Sequence, residues 1–251
     1  MAKTDYFAGP QPRIFAHRGL HSHRAGIDEN SLEAFAQAIE FGATHIESDV
    51  HATKDGVAVL FHDETLERVS NTASAIADLT LSQLKEIRLT NGSFVPTLEE
   101  ALIQFPEIKL NLDIKSEGAI SPTASAILAQ NAMARVLVSS FSNSRRQKAL
   151  ALLDRQVATS ASSKQVIASW ISHTFLFGAF FKRIVRNIDA FQIPTKQGPV
   201  RFDSARFIAR ANRNNVEVHF WTINDPIQMS HLIQLGAHGI VSDRVDLFPK
   251  S

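Results

Sequence analysis

The chain has 251 residues, a length that suits one (β/α) barrel or two smaller domains. Hydrophobic residues make up 44% of it and include 17 phenylalanines, enough apolar material for a sizeable core. The absence of cysteine excludes disulfides and thiolate metal sites and fits a reducing cytosol. The net charge is +1, but residues 1–130 carry 10 basic and 18 acidic side chains, whereas residues 131–251 carry 16 and 7. An acidic half can hold a cation while a basic half faces anions, although most of these charges are expected on solvated surface.

The first segment, Met1–Pro12, lacks the apolar stretch of a secretory signal and is expected to be a flexible tail. No uncharged apolar run reaches the roughly 18 residues that a membrane span needs. We therefore predict a cytoplasmic protein.

Apolar runs and helical periodicities alternate along the chain. Nine runs are strand candidates: 13–16, 45–50, 57–61, 109–114, 135–140, 156–160, 188–193, 217–223 and 239–242. Helices are predicted between them, over 32–41, 80–87, 96–105, 143–153, 164–186, 202–212 and 227–235. Thr80 is expected to be an N-cap, the helix at 96–105 is expected to run from Thr97, and Asn224 is expected to cap the helix that follows it.

This alternation predicts an α/β protein with a parallel sheet, most economically a single (β/α)8 TIM-type barrel domain over residues 13–251. Because an eight-stranded barrel has only eight strands, one of the nine candidates must lie outside it. The link from Asp49 to Val57 is too short for a crossover helix, so the barrel is predicted to be irregular between strands 2 and 3. The chain there either returns as extended backbone or forms a hairpin around Asp55-Gly56, and the sequence leaves both open.

Several predicted strands end in charged residues, which should converge because barrel active sites lie at the carboxyl ends of the strands. Glu47 and Asp49 are two residues apart on one strand and point to the same face, where their like charges call for a cation between them. Asp113 ends another strand and can supply a third oxygen. This all-oxygen set predicts one divalent cation, Mg²⁺ or Ca²⁺, rather than zinc. The alternative is a solvated strand end without a metal.

Two histidines follow apolar runs at the same predicted rim. His17 and His62 form a natural acid–base pair because imidazole exchanges protons near neutral pH. Arg18 can bind a phosphate through two hydrogen bonds, and Lys115 adds a point charge. Together with the carboxylates, these groups predict metal-assisted phosphate chemistry. Other histidines have weaker claims and are taken as loop or packing residues: His21, His23, His45 and His51.

Short motifs in a fixed order give this interpretation a specific family. The chain resembles the glycerophosphodiester phosphodiesterases, within the phospholipase-C-like phosphodiesterase barrels. The matching segments span nearly the whole chain. They are A-H-R-G at 16–19, E-N-S-L-E-A-F at 29–35, E-S-D-V at 47–50, T-K-D-G at 53–56, H-D at 62–63, P-T-L-E-E at 96–100, L-D-I-K at 112–115, S-S-F-S at 139–142, W-T-I-N at 221–224 and G-I-V-S-D-R at 239–244.

The resemblance implies a role for each matching position. The two histidines would be general acid and base, Arg18 and Lys115 would hold the phosphodiester, and the three acidic residues would hold one divalent cation. In the related barrels a substrate hydroxyl next to the phosphate attacks phosphorus, and the cyclic phosphate is then hydrolysed. This chain departs from the family at Asp113, where Glu is frequent, which leaves the identity and affinity of the metal open.

Aromatic residues provide two further hypotheses. Phe141 and Trp221 stand at strand ends and either line the substrate pocket or are plain core aromatics. Trp170–Val185 combines phenylalanines with basic residues and either touches an anionic membrane surface weakly or, as we favour, buries one broad helix face.

The predicted activity is metal-dependent hydrolysis of small-molecule glycerophosphodiesters to an alcohol and glycerol 3-phosphate. A second enzymatic hypothesis is phospholipase-D-like hydrolysis of lysophospholipids at a membrane surface. A non-catalytic phosphate- or lipid-binding barrel is disfavoured, because a binding protein does not need both imidazoles. No nucleic-acid partner is expected, and the sequence does not indicate an oligomeric state.

Overall fold

The computed structural model describes residues 4–21, 26–70, 72–153, 157–176 and 179–249. Strands and helices alternate through these residues. The strands are β1 (Arg13–His17), β2 (His45–Ala52), β3 (Ala58–Leu60), β4 (Lys109–Ile114), β5 (Val136–Ser139), β6 (Ala158–Thr159), β7 (Ala190–Ile193), β8 (Lys196–Gln197), β9 (Val200–Arg201), β10 (Glu217–Phe220) and β11 (Gly239–Ser242). The α-helices are α1 (Leu32–Glu40), α2 (Leu81–Leu84), α3 (Leu98–Gln104), α4 (Ile120–Ala129), α5 (Asn143–Ala151), α6 (Ser163–Phe175), α7 (Phe181–Val185), α8 (Ala205–Arg213) and α9 (Pro226–Gln234).

Eight of the strands form a parallel barrel. Their order around it is β6, β5, β4, β2, β1, β11, β10, β7, and a parallel bridge between Ser160 and Ala190 joins the two ends of this order. Parallel strands connected by helices bury both faces of the sheet, and the central strands are accordingly rich in buried Val, Ile and Leu. The predicted TIM-type barrel is confirmed.

The irregular stretch after β2 is a hairpin. Strand β3 pairs antiparallel with the end of β2, with Val50 opposite Leu60 and Ala52 opposite Ala58. The Phe61 backbone N–H then donates to the Asp49 carbonyl at 3.0 Å. The hairpin therefore returns the chain to the level of Asp49 on β2 and leaves His62 at the rim, which resolves the alternative that the sequence left open.

Two helical predictions need correction. The stretch 164–186 is two helices, α6 and α7, because Phe180 has a positive φ of 66° and turns the chain before α7. Helix α4 was not predicted, because its sequence I-S-P-T-A-S-A-I-L-A is dominated by small residues and contains Pro122. That proline lies in the first turn, where its missing N–H needs no intrahelical partner.

Helix caps mark most of the predicted starts. The Thr80 side chain accepts a hydrogen bond from the Gln83 backbone N–H, which confirms this cap, and Thr97 caps α3 in the same way by accepting from the Glu100 N–H. The prediction for Asn224 is wrong. The cap of α9 is Asp225, which accepts from the Ile227 N–H at 3.0 Å.

The amino-terminal end of the barrel is closed by residues that the sequence assigns to a flexible tail. Tyr6 and Phe7 lie in a 3-10 turn over Asp5–Phe7, and Tyr6 is fully buried against Phe15 and its neighbours at the bottom of the barrel. The flexible-tail prediction therefore fails for this part of the segment. An isolated aromatic pair has no periodicity from which its burial could be inferred.

A buried ion pair holds the same end together. The Arg13 guanidinium donates to Glu217 through Nε at 2.7 Å and Nη2 at 2.8 Å, and it also bonds the Phe7 carbonyl. The His219 Nε2 lies 2.9 Å from Glu217 Oε2. Burial raises the pKa of Glu217, but the hydrogen bonds from Arg13 and His219 outweigh it and hold that pKa well below its usual range. No helix in the described parts of the chain has the length and apolar character needed to cross a membrane.

We predict that Glu217→Gln lowers the free energy of unfolding at pH 7 by about 3 kcal/mol, because it leaves the buried Arg13 charge uncompensated. A depressed carboxyl pKa stabilises the fold above the pKa of the unfolded chain and loses this effect as pH falls. The difference from wild type should therefore shrink as pH drops through about 4. Urea unfolding at several pH values measures it. The exposed Glu67→Gln is the control, and an equal loss in both variants would contradict the prediction.

Candidate active site

The register of the central strands brings the rim residues together. His17 lies opposite Glu47 across β1 and β2, and Asp49 lies opposite Asp113 across β2 and β4. Because side chains two apart on a strand share a face, Glu47 and Asp49 both point into the barrel mouth. Neighbouring strands thus present one histidine and three carboxylates to the same space.

One cavity of about 240 Å³ at this rim contains every residue predicted for the site. These residues are His17, Arg18, Glu47, Asp49, His62, Asp113, Lys115, Phe141 and Trp221. The serines 139, 140 and 160, Asn111 and Gln192 complete most of its polar wall. A concave site with few convergent polar groups is the usual form of a small-molecule pocket.

The loop after β1 depends on a close backbone approach. Arg18 and Gly19 both have positive φ, of 57° and 81°. A Cβ on Gly19 would lie 2.7 Å from the Ala34 backbone in α1. Glycine is therefore required between His17-Arg18 and the first helix, which accounts physically for the A-H-R-G motif.

The carboxylates of Glu47 and Asp49 repel each other in the centre of the site. The Glu47 Oε2 and Asp49 Oδ2 atoms are buried and accept no hydrogen bond from any residue that the structure describes. Burial first, and then the charge of Asp49, raise the pKa of Glu47 to about 7. The His17 Nε2 is 3.8 Å from Glu47 Oε2, and the Arg18 Nε is 3.5 Å from Asp49 Oδ2.

Lys115 compensates the negative charges of Asp49 and Asp113. Its Nζ lies 2.6 Å from Asp49 Oδ1 and 2.8 Å from Asp113 Oδ2. Burial lowers the Lys115 pKa, but the charges of Asp113 and Asp49 outweigh it and raise that pKa above its usual value. Among the described residues no set of three acidic or histidine side chains is arranged as a ready metal site. Asp113 is turned toward Lys115 instead.

Each histidine at the rim is paired with a carboxylate that the sequence did not single out. The His17 Nδ1 is 2.7 Å from Asp243 Oδ1, and the His62 Nδ1 is 2.6 Å from Asp63 Oδ1. These bonds place the proton on Nδ1 and leave Nε2 to exchange a proton with a ligand. Burial lowers the pKa of His17, but the Asp243 hydrogen bond and the charge of Glu47 raise it overall.

The carboxylates of these pairs are held in turn by other side chains. Asn224 donates to Asp243 Oδ2 at 2.8 Å, which is the function of Asn224 in place of the predicted helix cap. Arg68 donates to Asp63 at 2.6 Å and also to Glu29, which accepts from Arg18 at 3.0 Å. Asp243 and Asn224 lie within the matching motifs, so the sequence contained a signal for both residues. Only the closed barrel places Asp243 against His17 and Asn224 against Asp243.

The histidines with weaker claims fall into different places. His21 Nε2 lies 3.7 Å from Asp243 Oδ1, at the edge of the site. His51 Nε2 is 3.2 Å from the His62 carbonyl and so braces the loop that carries His62. His45 is buried inside the barrel, with its ring centroid 4.5 Å from that of Phe15. His23 lies outside the described residues.

Comparison with known proteins assigns the family. The model of the glycerophosphoryl diester phosphodiesterase family matches residues 17–247. The chain belongs to this family. The predicted resemblance and the predicted enzyme class, a phosphoric diester hydrolase, are thereby confirmed.

Individual relatives agree with the family assignment. The chain is 37% identical over 232 residues to a probable glycerophosphodiester phosphodiesterase 2 of Mycobacterium tuberculosis, covering 92% of this chain and 87% of the relative. A Thermotoga maritima glycerophosphodiester phosphodiesterase structure superposes with a TM-score of 0.72 at 25% identity, covering 96% and 98% of the two chains. An Oleispira antarctica phosphodiesterase, solved in complex with the product sn-glycerol-3-phosphate, has a TM-score of 0.74 at 22% identity and 94% coverage of both chains. That last likeness supports the fold alone.

We predict that Gly19→Ala destabilises the fold by more than about 1 kcal/mol and displaces the His17-Arg18 loop. The expected cause is the clash with Ala34 in addition to backbone strain. Gly42→Ala separates the two effects, because Gly42 also has a positive φ, of 91°, but a Cβ there meets nothing within 4 Å. Thermal unfolding of both variants measures the difference, and equal destabilisation would show that the close approach to α1 has no cost.

Proposed function

We propose that this protein hydrolyses glycerophosphodiesters to an alcohol and glycerol 3-phosphate with the help of one divalent cation. The observation that carries the proposal is the convergence of two histidines, three carboxylates, an arginine and a lysine in one cavity at the barrel rim. The bound product named for the Oleispira antarctica protein has the same chemistry as the product proposed here.

His17 and His62 are proposed as the general base and the general acid, with either able to take each role in turn. The base removes the proton from the 2-hydroxyl of the glycerol, whose oxygen attacks phosphorus. The acid gives a proton to the departing alcohol as its P–O bond breaks. Water then opens the cyclic phosphate with the proton transfers reversed. Asp243 and Asp63 hold the two imidazoles in the tautomer that this exchange requires.

The cationic side chains are proposed to bind the phosphodiester. Arg18 stands where its guanidinium can donate two hydrogen bonds to phosphoryl oxygens, although it is now 3.5 Å from Asp49. Lys115 contributes a positive charge at the opposite side. Phe141 and Trp221, with ring centroids 6.3 Å apart, form an aromatic wall against which the glycerol or the leaving group can pack.

Glu47, Asp49 and Asp113 are proposed to hold the cation. Glycerophosphodiester phosphodiesterases are generally dependent on a divalent metal. Glu47 and Asp49 each have a buried carboxylate oxygen that has no hydrogen-bond donor among the described residues, and such oxygens fit this ion. An all-oxygen set suits Mg²⁺ or Ca²⁺. The bound ion would stabilise negative charge on the phosphoryl oxygens and lower the pKa of the attacking hydroxyl. Asp113 would join it by exchanging its contact with Lys115.

Hydrolysis of lysophospholipids is the second candidate. It is favoured by Phe141, which lies at the cavity with 61% of its surface exposed and so offers apolar surface beside the phosphate-binding groups. The same groups would act on phosphorus, and an acylated glycerol phosphate would be released in place of glycerol 3-phosphate.

A product assay on glycerophosphodiesters and lysophospholipids separates the two candidates. We predict glycerol 3-phosphate as the main product, and turnover at least about 100-fold lower in His17→Ala and in His62→Ala, each folded as wild type because both side chains lie at the rim. The exposed His231→Ala is the matched control. Full activity in either rim variant would refute the acid–base assignment, and release of lysophosphatidic acid alone would favour the second candidate.

Removal of the metal gives an independent prediction. Excess EDTA should abolish turnover, and Mg²⁺ or Ca²⁺ should restore it. Metal should also raise the melting temperature of wild type, with about 2.7 kcal/mol of stabilisation at 100 times Kd. Glu47→Gln should lose this shift, while the exposed Glu33→Gln keeps it. Undiminished activity in EDTA, or an unchanged thermal shift in Glu47→Gln, would contradict the proposed site.

A further inference from the structure

Helices α6 and α7 present apolar side chains to solvent on one side of the barrel. Phe175 and Phe180 are 64% and 66% exposed, and Leu176 between them is 45% exposed. Ile167 and Ile171 precede Phe175 at intervals of four residues and are also exposed, so they continue the patch along one stripe of α6. We call these five residues the α6–α7 patch. A contiguous apolar surface of this kind marks an interaction site more often than scattered exposed residues do.

Phe180 and Phe181, at the start of α7, have opposite environments. Phe181, the neighbour of Phe180, is buried with its ring centroid 6.2 Å from that of Phe191 and 6.1 Å from that of Phe207. The Ser172 hydroxyl donates to the Ala179 carbonyl across the turn. Phe180 itself has a positive φ of 66°, an unfavourable conformation for a bulky residue. The core thus fixes Phe181 and holds Phe180 outward at a cost in backbone strain.

The charges on the segment that carries the patch have one sign. Between Asp154 and Asp189 the sequence has no acidic residue, but it has five Lys or Arg. Four of these are exposed, namely Lys164, Lys182, Arg183 and Arg186. Within the residues that the structure describes, none of the four forms an ion pair, whereas Lys148 on α5 pairs with Glu117 at 2.7 Å. Exposed phenylalanines beside unpaired cations are the combination that enters the interface of an anionic bilayer.

We propose that the α6–α7 patch docks this protein on anionic phospholipid membrane. A second copy of the chain fits the patch poorly, because a symmetric dimer would place the same unpaired cations against each other. An anionic lipid surface suits both kinds of side chain, because the phenylalanines can insert among the acyl chains and the Lys and Arg side chains can pair with headgroup phosphates. This inference concerns binding alone and does not depend on the proposed reaction. The segment Trp170–Val185 does bury one side, since Phe181 and Val185 are buried, and the proposal concerns the residues that remain exposed. Phe177 of this segment lies outside the described residues.

The location of α6 connects the patch to the cavity. Helix α6 begins at Ser163, two residues after Ala161 in the cavity wall, and the Ser163 N–H donates to the carbonyl of Phe141 at 3.4 Å. The amino-terminal end of α6, one turn before Ile167, therefore adjoins the cavity mouth where the exposed Phe141 lies.

Sedimentation of the full chain with vesicles tests the proposal. Wild type should bind vesicles that contain phosphatidylglycerol, bind pure phosphatidylcholine at least about tenfold more weakly, and dissociate as salt screens the charges. Phe175→Ser/Phe180→Ser and Lys182→Glu/Arg183→Glu should each weaken binding at least about tenfold. Ile103→Ser/Ile227→Ser and Lys54→Glu/Lys148→Glu are matched controls on other elements and should bind as wild type.

Several outcomes would overturn the proposal. They are no binding of wild type to anionic vesicles, equal losses in test and control variants, or a concentration-dependent dimer that Phe175→Ser/Phe180→Ser abolishes without any vesicle binding by wild type. Circular dichroism and the melting temperature of each variant establish that it is folded before binding is measured. Because no turnover is involved, a negative result here leaves the proposed hydrolysis unaffected, and an inactive enzyme can still bind vesicles.

Discussion

The repulsion between Glu47 and Asp49 is the constraint around which the carboxyl end of the barrel is arranged. Two carboxylates two residues apart on a buried strand face are unfavourable unless positive charge surrounds them. Lys115 at 2.6 Å from Asp49, and Arg18 and His17 at longer range, supply that charge. Burial, and after it the charge of Asp49, nevertheless raise the pKa of Glu47 to about 7. The divalent cation proposed for Glu47, Asp49 and Asp113 would add further positive charge at this point, and a site that is unfavourable for stability is expected where function requires it.

The opposite end of the barrel has the complementary character. There the buried charges Arg13 and Glu217 satisfy each other with two hydrogen bonds, and Tyr6 and Phe7 exclude water. Breaking a buried, hydrogen-bonded ion pair of this kind is strongly destabilising, and its charges are not available to bind a ligand. Stability is thus concentrated at the amino-terminal end of the strands and unsatisfied charge at the carboxyl end, which is the usual division in this fold.

Strand-end residues could be predicted from the sequence because the parallel register determines their position. Once β1, β2 and β4 are neighbours, His17, Glu47 and Asp113 must share a rim. Other features depend on contacts that no local pattern encodes. Asp243 meets His17 across 226 positions of sequence, and the return of His62 depends on the antiparallel pairing of β3 with β2. The break between α6 and α7 was missed because apolar residues continue through it, and only the burial of Phe181 beside the exposure of Phe180 reveals it.

The carboxylate partners of the histidines explain why so much of the chain is needed for a site whose main groups lie before residue 116. Asp243 follows the last barrel strand, so His17 acquires its partner only when β11 pairs with β1 and closes the sheet. Asp63 accepts a hydrogen bond from Arg68, which also donates to Glu29, and Glu29 in turn accepts from Arg18. His17 is therefore oriented by a segment distant in sequence, whereas His62 is oriented by its neighbour Asp63. The groups proposed for proton transfer are therefore all in position only when the whole barrel is folded, because His17 lacks its carboxylate partner until β11 has paired with β1. The Glu47-Asp49 pair, by contrast, is contained in one strand.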